Sequence, residues 1–317
     1  MADAQSVAPE PALSGARLDR AAQLRTGPET LARLLRAPDA RAVFAHEDAV
    51  LVSADGSALS RLFVPELRER APLLLGLEAD GALFGVDLGW LDDHDRDDVV
   101  RQGHLLPLRE AGIGLPPDEG GLAAYLLALS NWHRDHTHCS NCGAPTDVRE
   151  GGLSRHCPRC DRSHFPRTDP VVIMLVEHDG RLLLGRRPIW PRGRYSLLAG
   201  FVAPGETPEE AVAREVREES AIEVMRCRYV ASQPWPFPAS LMLGYFATSR
   251  GGTPRCLDGE LDDVRWFSRA EVEAARSSSA DWSSSPTDGH SAVLLPPPVS
   301  IARWLIEWWL TEGASGG

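Results

Sequence analysis

The stretch GFVAPGETPEEAVAREVREESAI, residues 200–222, decides how this chain folds and what it can bind. Thr207 followed by Pro208 is a typical helix start, with a hydroxyl cap and a proline in the first turn. Glu210 stands where its side chain can close a capping box with Thr207. The helix has three apolar positions for one side: Ala211, Val212 and Val216. The stretch therefore predicts a capped, amphipathic helix that begins after Thr207.

The polar side of this helix is strongly acidic. Glu215, Glu218 and Glu219 stand at i, i+3 and i+4, so their side chains share one face. Neighbouring carboxylates repel one another unless cations neutralise them, and hard oxygen ligands of this kind suit Mg²⁺ or Mn²⁺. The alternative is a solvated acidic face paired with Arg214 and Arg217. Helix spacing by itself favours that alternative over a metal site.

The spacing of the whole stretch, in contrast, favours a metal site over a solvated acidic face. Five residues separate Gly200 from Glu206, and seven residues separate Glu206 from Arg214-Glu215-Val216-x-Glu218-Glu219-x-x-Ile222. This pattern resembles the Nudix box in almost every defined position. In the Nudix family the box holds divalent cations against a nucleoside diphosphate, where they neutralise the pyrophosphate and help to generate a nucleophilic water. The resemblance therefore implies a catalytic metal site on this helix.

The resemblance also implies a role for each residue of the box. Glu215 and Glu219 would be direct metal ligands, and Glu218 would be either a ligand or the base that activates water. The backbone carbonyl of Ala199 would add a ligand, and Arg214 would orient the carboxylates through its guanidinium fork. Two positions depart from the family pattern: Ala221 replaces the usual glycine at the helix end, and Ala203 replaces a frequent glutamate. Neither departure removes an expected ligand.

A quartet of cysteines precedes the box. Cys139, Cys142, Cys157 and Cys160 give two C-x2-C pairs separated by fourteen residues, which is typical of a closed structural zinc site. The alternatives are four unrelated buried cysteines, a redox pair, or competition from nearby histidines. Closed sites of this kind fold a module and do not catalyse. The surrounding arginines leave open a contact between this zinc ribbon and nucleic acid.

The segment SQPWPFPAS, residues 232–240, narrows the family further. Three prolines between two predicted strands fix a rigid bend, whose aromatic side chains offer flat surfaces for a base or a nicotinamide ring. The alternative is a packed corner without a ligand. The segment resembles the signature of the NADH pyrophosphatase subfamily, which also carries a four-cysteine zinc ribbon before its Nudix domain. The resemblance implies substrate contacts from Gln233, Pro234, Trp235, Pro236, Phe237, Pro238, Ala239 and Ser240.

Four further residues match positions of this subfamily. Phe165 aligns with an aromatic residue that stacks on the substrate, and Phe201 would enclose the same ring system from another side. Glu260 aligns with a distal metal ligand and Ala302 with a backbone contact to the substrate. The implied reaction is hydrolysis of NAD(H) to nicotinamide mononucleotide and AMP, and some relatives also remove NAD caps from RNA. The resemblance further implies a homodimer.

Composition and domain order agree with such an enzyme. The net charge of −12 argues against a broad surface for a nucleic-acid backbone, and the N-terminus lacks the features of a secretory signal. No apolar run reaches the length of a membrane span. We therefore expect a cytoplasmic protein. The resemblance to the Nudix family implies the α+β class, with a catalytic domain that is a Nudix α/β/α sandwich with a mixed sheet. The expected segments are a disordered tail (1–15), an N-terminal Nudix-like α/β domain (16–135), the zinc ribbon (136–167) and the catalytic Nudix domain (168–317).

Hydrophobic periodicity predicts individual elements within these domains. In the N-terminal domain, strands are expected at 49–53 and within 73–88, and helices at 99–112 and 121–136. In the catalytic domain, strands are expected at 171–176, 181–187, 229–233, 241–250 and 264–268, with a helix at 269–276 and a mobile loop at 277–288. Ile301, Trp304, Leu305 and Trp308 form the apolar stripe of a last helix.

Two rival functions remain at the level of the sequence. One is a Nudix hydrolase of another nucleoside diphosphate, such as ADP-ribose or a diadenosine polyphosphate. The other is a zinc-ribbon protein that binds nucleotides or RNA without cleaving them. The SQPWPFPAS segment counts against the first, and the complete set of box glutamates counts against the second.

Overall fold

A computed structural model describes residues 10–63, 73–257, 259–276 and 293–311. None of the helices in these ranges is long and apolar enough to cross a bilayer. The chain divides into two units, of which the first holds residues 12–168 together with 234–240. The second is built on residues 169–233 and on the chain after residue 240. The expected start of the catalytic domain falls at this division, whereas the loop 234–240 belongs to the first unit.

The described part of the N-terminal domain contains a mixed sheet and four α-helices. Its strands are β1 (Arg41–His46), β2 (Ala49–Val52), β3 (Leu73–Glu78), β4 (Gly81–Asp87) and β5 (His104–Pro107). The strand order is β3-β4-β1-β2-β5, with β1 and β4 parallel and the other neighbours antiparallel. The helices are α1 (Pro28–Arg36), α2 (Asp93–Val100), α3 (Leu108–Gly114) and α4 (Pro117–Asp135). The expected α/β domain and the strands at 49–53 and within 73–88 are confirmed.

The helix expected at 99–112 is wrong. The structure places the end of α2, the whole of β5 and the start of α3 in this range. Gly103 and Pro107 both disfavour a continuous helix. Leu105 and Leu106 instead pair with β2, which gives their backbone groups partners in the sheet. Strand pairing with a distant segment therefore overrides the local helical pattern.

Residues 13–15 pack against helix α4, whereas the sequence predicts a disordered tail over residues 1–15. Leu13 is 1% exposed. It lies against the start of α4, where side chains at Gly120 and Gly121 would collide with the backbone of residues 13–16. The expected tail therefore does not extend through Leu13, because the two glycines let this segment pack directly on the helix.

The catalytic domain is one six-stranded sheet. Its strands are β9 (Asp169–His178), β10 (Arg181–Arg186), β11 (Leu198–Phe201), β12 (Val224–Trp235), β13 (Ser240–Ser249) and β14 (Asp263–Ser268). The order is β12-β13-β9-β10-β14, and β11 pairs with β9. Three helices accompany the sheet: α5 (Pro208–Ser220), α6 (Arg269–Arg276) and α7 (Ile301–Thr311). Every strand and helix expected in this domain is present, and the expected loop at 277–288 lies outside the described residues.

Strand β9 explains why helices cover both faces of this sheet. Its side chains alternate between faces, as those of any strand do. Val172, Met174 and Val176 pack in the cluster that contains the apolar side of α5. Ile173 and Leu175 pack in a second cluster that contains α7 and part of α6. The expected α/β/α sandwich is therefore confirmed.

A buried polar network joins helix α4 to the zinc ribbon. The ribbon is a three-stranded sheet of β6 (Asp147–Arg149), β7 (Ser154–His156) and β8 (Ser163–His164). Arg155 donates to Nδ1 of His133 at 2.9 Å and to both oxygens of Thr146. Since Arg155 can only donate, His133 is neutral and its Nε2 donates to the Gly152 carbonyl at 2.8 Å. Burial lowers the pKa of His133 to about 4.

This network predicts a specific acid sensitivity. The unfolded chain protonates His133 near its ordinary pKa of 6.5, whereas the folded protein protonates it only near 4. Stability from this residue is therefore complete above pH 6.5 and is lost as the pH falls towards 4, by up to about 3 kcal/mol. His133→Gln keeps one donor and one acceptor without titrating. Urea unfolding between pH 4 and 7 should show a weaker pH dependence for the variant than for the wild type. Equal pH dependence would rule out this role for His133.

Candidate active site

Helix α5 begins as its sequence predicts. The hydroxyl of Thr207 accepts from the backbone N–H of Glu210 at 3.2 Å, and the Glu210 carboxylate accepts from the N–H of Thr207 at 2.7 Å. The capping box is therefore confirmed. The three apolar positions of the helix are fully buried: Ala211, Val212 and Val216. The cap and the buried side together fix how far α5 extends and which face it turns away from the core.

The end of α5 carries backbone strain. Ala221 caps the helix in the left-handed region, with φ 59° and ψ 14°. This conformation costs an alanine about 1–2 kcal/mol. The backbone N–H of Ala221 still donates to the Arg217 carbonyl at 2.9 Å. The turn that glycine normally makes in the Nudix box is thus formed here by alanine.

Arg214 binds several carboxylates of the acidic face at once. Its guanidinium donates to both oxygens of the Glu206 carboxylate, at 2.8 and 2.9 Å. One further N–H group, Nη1, reaches Glu215 at 2.7 Å and Glu218 at 2.9 Å. Nη2 also donates to the backbone carbonyl of Phe201 at 2.9 Å. One cation therefore fixes three carboxylates and the end of β11 relative to one another.

Glu206 is a positioning residue that the sequence analysis did not assign. Its second partner is the backbone N–H of Ala203, at 3.0 Å from Oε2. The Arg214 guanidinium, helped by this N–H, lowers the pKa of Glu206 to about 2. The same carboxylate raises the pKa of Arg214 above its ordinary value. The signal was present in the sequence, because Glu206 is a defined position of the Nudix box.

The Glu215 carboxylate lies directly against Gly200 of strand β11. A Cβ atom at Gly200 would collide with the Glu215 carboxylate, so only glycine fits below it. The neighbouring Ala199, whose carbonyl is an expected metal ligand, pairs with Ile173 within the sheet. Glu219 is 2% exposed although it is an acidic residue. The structure therefore brings two expected ligands, Glu215 and Ala199, to one end of β11.

The pKa of Glu215 reflects the negative charges of other carboxylates near it. Burial raises the pKa of Glu215, the Arg214 guanidinium opposes this, and the charges of Glu218 and Glu260 add to the increase. Glu260 lies 60 positions after Gly200 in the sequence, yet its negative charge contributes to the raised pKa of Glu215. A cluster of carboxylates with one arginine at its centre keeps an excess of negative charge. Such a donor set fits a hard divalent cation such as Mg²⁺ or Mn²⁺.

The four ribbon cysteines converge on one point. Their sulfur atoms all lie within 4.8 Å of one another, with 3.6 Å between Cys139 and Cys160 and 3.5 Å between Cys142 and Cys157. A tetrahedron with zinc–sulfur bonds of about 2.3 Å has sulfur–sulfur edges of about 3.8 Å. Each pair lies in a matching turn, in which Gly143 donates to the Cys139 carbonyl and Asp161 to the Cys157 carbonyl. The cluster fits a closed structural zinc site.

The proline-rich loop is stacked on an arginine of the N-terminal domain. The rings of Trp235 and Phe237 meet edge to face, with centroids 4.9 Å apart. The guanidinium carbon of Arg109 lies 4.9 Å from the Trp235 ring centre and 4.0 Å from that of Phe237. Burial lowers the pKa of Arg109. The two aromatic side chains expected to contact substrate are therefore held by a cation–π cluster.

Asn131 of helix α4 fixes the backbone of the same loop. Its side-chain amide donates to the Pro236 carbonyl at 3.0 Å and to the Pro238 carbonyl at 3.2 Å. Arg134 holds Asn131 in turn, because it donates to the Asn131 side-chain oxygen and to the buried carboxylate of Asp87. Sequence analysis missed Asn131 and Arg109 because nothing local in their sequence marks a partner more than 100 residues away.

The side chain of Gln233, which was expected to contact substrate, binds the backbone of the protein instead. Its side chain is fully buried. Its amide nitrogen donates to the Val299 carbonyl, and its amide oxygen accepts from the N–H of Ile301, both at 2.8 Å. The Gln233 amide therefore fixes the first residue of α7, and it is not available to a substrate in this conformation.

The other residues expected to contact substrate include two exposed aromatic rings and two residues at the start of a strand or a helix. Phe165 and Phe201 are 66% and 61% exposed, although large aromatic side chains are usually buried. Ser240 is the first residue of β13, and Ala302 is buried at the second position of α7, directly after the residue that Gln233 holds. The exposed rings suit stacking on a ligand, and Ala302 can offer only its backbone.

Comparison with known proteins now identifies the chain. Residues 166–286 match the NUDIX domain, and residues 134–165 match the NADH pyrophosphatase zinc ribbon domain. A protein of Mycobacterium bovis named NAD-capped RNA hydrolase NudC is 38% identical over 314 residues, which cover 94% of each chain. A protein of Chromobacterium violaceum with the same name is 38% identical over 73% of this chain and 78% of its own length. The chain belongs to the NADH pyrophosphatase subfamily of Nudix hydrolases.

Two solved structures of Nudix proteins are similar to part of this chain. A Nudix hydrolase from Nitrosomonas europaea is 28% identical, with a TM-score of 0.37, over 42% of this chain and 77% of that one. The E. coli ORF135 protein is 22% identical, with a TM-score of 0.33, over 47% of this chain and 96% of that one. The assignment to the family rests on the sequence relatives, which cover nearly the whole chain.

The contacts of Asn131 generate a prediction about the loop of this Nudix hydrolase. Asn131→Ala removes both hydrogen bonds to the Pro236 and Pro238 carbonyls. Hydrogen–deuterium exchange should therefore become faster in the peptide that covers residues 233–241, while exchange in the catalytic sheet stays unchanged. Asn131→Asp, which keeps the size but loses the amide donor, should have the same effect. Asn141→Ala, at an exposed position of the ribbon, is the control. Wild-type exchange in the loop of both Asn131 variants would show that Asn131 does not hold it.

Proposed function

We propose that this Nudix hydrolase cleaves the pyrophosphate of NAD(H) and also removes NAD caps from RNA. Water adds to one phosphorus, the bridging P–O bond breaks, and the products are nicotinamide mononucleotide and AMP. With a capped RNA the same bond breaks, and the RNA keeps a 5′-monophosphate. The names of relatives that are 38% identical over 94% of their length support this proposal.

One observation carries the proposal: the carboxylates that Arg214 holds against the end of β11. Glu206, Glu215 and Glu218 are each bonded to this one guanidinium. An acidic face that served only solubility would have each carboxylate exposed, whereas Glu215 is half-buried and Glu219 is fully buried. Buried carboxylates held close together are costly without a compensating cation, so the arrangement favours a metal site over a solvated surface.

The family pattern gives each ligand its role, and this arrangement supports the assignment. Glu215, Glu219, Glu260 and the carbonyl of Ala199 would hold the divalent cations, and Glu218 would complete the set or take the proton of the attacking water. Bound there, Mg²⁺ or Mn²⁺ neutralises pyrophosphate oxygens and lowers the pKa of a water molecule. Arg214 keeps the carboxylates apart and oriented, so that they need no rearrangement when a metal binds.

The aromatic residues and the proline-rich loop would receive the organic parts of the substrate. Phe165 and Phe201 expose ring faces on which a base or the nicotinamide can stack. Trp235, Phe237 and the backbone between Pro234 and Ser240 form a surface that Asn131 and Arg109 hold in place. Ala302 would contribute a backbone contact. Gln233 acts indirectly, because it fixes the start of the helix that carries Ala302.

Three wider properties belong to the same proposal. The zinc ion would fold the ribbon and stay outside the chemistry, because four thiolates leave no open coordination position. Two chains would associate as a homodimer. A cytoplasmic location would keep the six cysteines reduced, which a thiolate zinc site requires.

Product analysis tests the reaction. Purified protein with Mg²⁺ or Mn²⁺ should convert NADH to reduced nicotinamide mononucleotide and AMP, measured by chromatography. Glu219→Gln keeps the size of the side chain but removes a buried negative charge at the proposed metal site. We expect it to lower kcat/KM by about 100-fold or more.

Glu223→Gln is the matched control, because Glu223 is exposed beyond the end of α5. It should retain the wild-type rate. A wild-type rate for Glu219→Gln would contradict the metal site on α5. Cleavage of ADP-ribose or a diadenosine polyphosphate with none of NADH would reassign the substrate and leave the metal site intact.

A further inference from the structure

Strand β10 and the connection that follows it form a basic segment in an acidic chain. From Arg181 to Gly205 the sequence contains five arginines and no aspartate or glutamate, although the net charge of the chain is −12. Two of the arginines are committed to the fold: Arg186 pairs with Asp262 at 2.6 Å, and Arg194 is 5% exposed. The other cations near the tip of the connection, Arg187 and Arg192, are exposed. We call residues 187–193 the arginine loop.

The arginine loop presents apolar as well as basic side chains. Ile189 is 83% exposed, and Trp190 is half-buried beside it. Among the residues that the structure describes, neither Arg187 nor Arg192 forms an ion pair with a carboxylate. Ile189 therefore stands exposed between two arginines that have no carboxylate partner among the described residues. Interleaved arginine and apolar side chains are typical of surfaces that bind single-stranded nucleic acid.

The base of the loop is rigid. Gly185 and Ser196 exchange two backbone hydrogen bonds of 2.9 Å, which close the loop. On the other side, Leu294 donates to the Gly193 carbonyl at 2.7 Å and accepts from Tyr195 at 3.1 Å. Turns within the loop are closed by the N–H of Trp190 on the Arg187 carbonyl and by the N–H of Arg194 on the Pro191 carbonyl. The exposed arginines therefore project from a fixed backbone.

The same base adjoins the proposed metal site. Gly185 packs so tightly that a Cβ there would collide with Leu261 and Leu198. These two leucines are the sequence neighbours of Glu260 and Ala199, which are both proposed metal ligands. Asp262 donates its backbone N–H to the Arg186 carbonyl at 3.0 Å, which ties the Glu260 segment to the start of the loop. The arginine loop thus begins where the pyrophosphate would be held.

From these contacts we infer that the arginine loop binds the 5′ segment of an NAD-capped RNA. In such an RNA the cap adenosine continues through its 3′-oxygen into the next phosphodiester, so the first phosphates leave the metal site close to the scissile bond. Arg187 and Arg192 contact these phosphates, and Ile189 and Trp190 contact the first bases. Free NADH has no such extension and does not reach the loop. The inference rests on the proposed function, since it requires that capped RNA enters the same site.

The double variant Arg187→Gln, Arg192→Gln tests this assignment. We expect kcat/KM for a short NAD-capped RNA to fall by about tenfold at low salt, because two phosphate contacts are lost. For NADH it should stay within about twofold of the wild type, because the loop lies outside the contacts of a dinucleotide. A plot of log kcat/KM for capped RNA against log salt concentration should become shallower by about 1.4, or 0.7 for each phosphate contact with a single strand.

The control is Arg33→Gln, Arg36→Gln, which removes the same charge from exposed positions of α1. It should leave both substrates and the salt slope unchanged. An equal loss for capped RNA and NADH, or no loss for capped RNA, would overturn the assignment. So would a changed oligomeric state of the loop variant in sedimentation, since the loop would then contact a second copy of the chain.

A binding measurement separates failure of this inference from failure of the proposed function. Uncapped single-stranded RNA of the same sequence should bind to wild-type protein more tightly than to the loop variant in fluorescence anisotropy. This result requires no cleavage, so it holds even if the protein hydrolyses neither NADH nor capped RNA. Equal anisotropy curves for the two proteins would show that the arginine loop is not an RNA surface.

Discussion

The contact between Arg214 and its carboxylates is the interaction on which the active site depends. Four acidic side chains within one short segment would repel one another and separate in the absence of a cation. Arg214 instead pairs with Glu206, Glu215 and Glu218 and also binds the Phe201 carbonyl. A lysine has the same charge but lacks the planar set of donors that fixes several carboxylates at defined angles. The relative positions of these carboxylates are therefore set by the protein itself.

The fold positions the helix that carries Arg214 and the carboxylates. Strand β9 places α5 on one face of the sheet, and the capping box at Thr207 starts the helix at a defined residue. Gly200 lets the Glu215 carboxylate approach the end of β11 closely. The helix then ends at Ala221, in a left-handed conformation that alanine adopts only at a cost. The site thus keeps the box geometry although one of its usual glycines is absent.

The N-terminal domain acquires a role through the loop 234–240. This loop lies between two strands of the catalytic sheet in sequence, yet it groups with residues 12–168. Asn131 binds its carbonyl groups and Arg109 stacks on its rings. The N-terminal domain therefore determines the conformation of the loop 234–240.

The sequence predicted those features that depend on local pattern and on spacing. The capping box, the zinc-binding spacing of the cysteines and the strands of the catalytic domain all follow from residues close together in the chain. The expected helix at 99–112 was wrong because pairing with β2 is a long-range interaction. Gln233 was expected to contact substrate, but its partners Val299 and Ile301 lie more than 60 residues away. Asn131 and Arg109 were missed for the same reason, since only the folded chain brings them to the loop.

Manganese affinity of an Arg214 variant tests the central claim most directly. Arg214→Gln removes a positive charge from the metal site, and by charge alone this change would tighten binding of a cation. If Arg214 acts by orienting the carboxylates, the variant should instead bind Mn²⁺ more weakly than the wild type. Arg214→Lys, which keeps the charge but loses the fork, should also bind more weakly. Free Mn²⁺ measured by electron paramagnetic resonance during titration gives both affinities, with thermal unfolding as the check on folding. Equal or tighter Mn²⁺ binding by a folded Arg214→Gln variant would contradict the account.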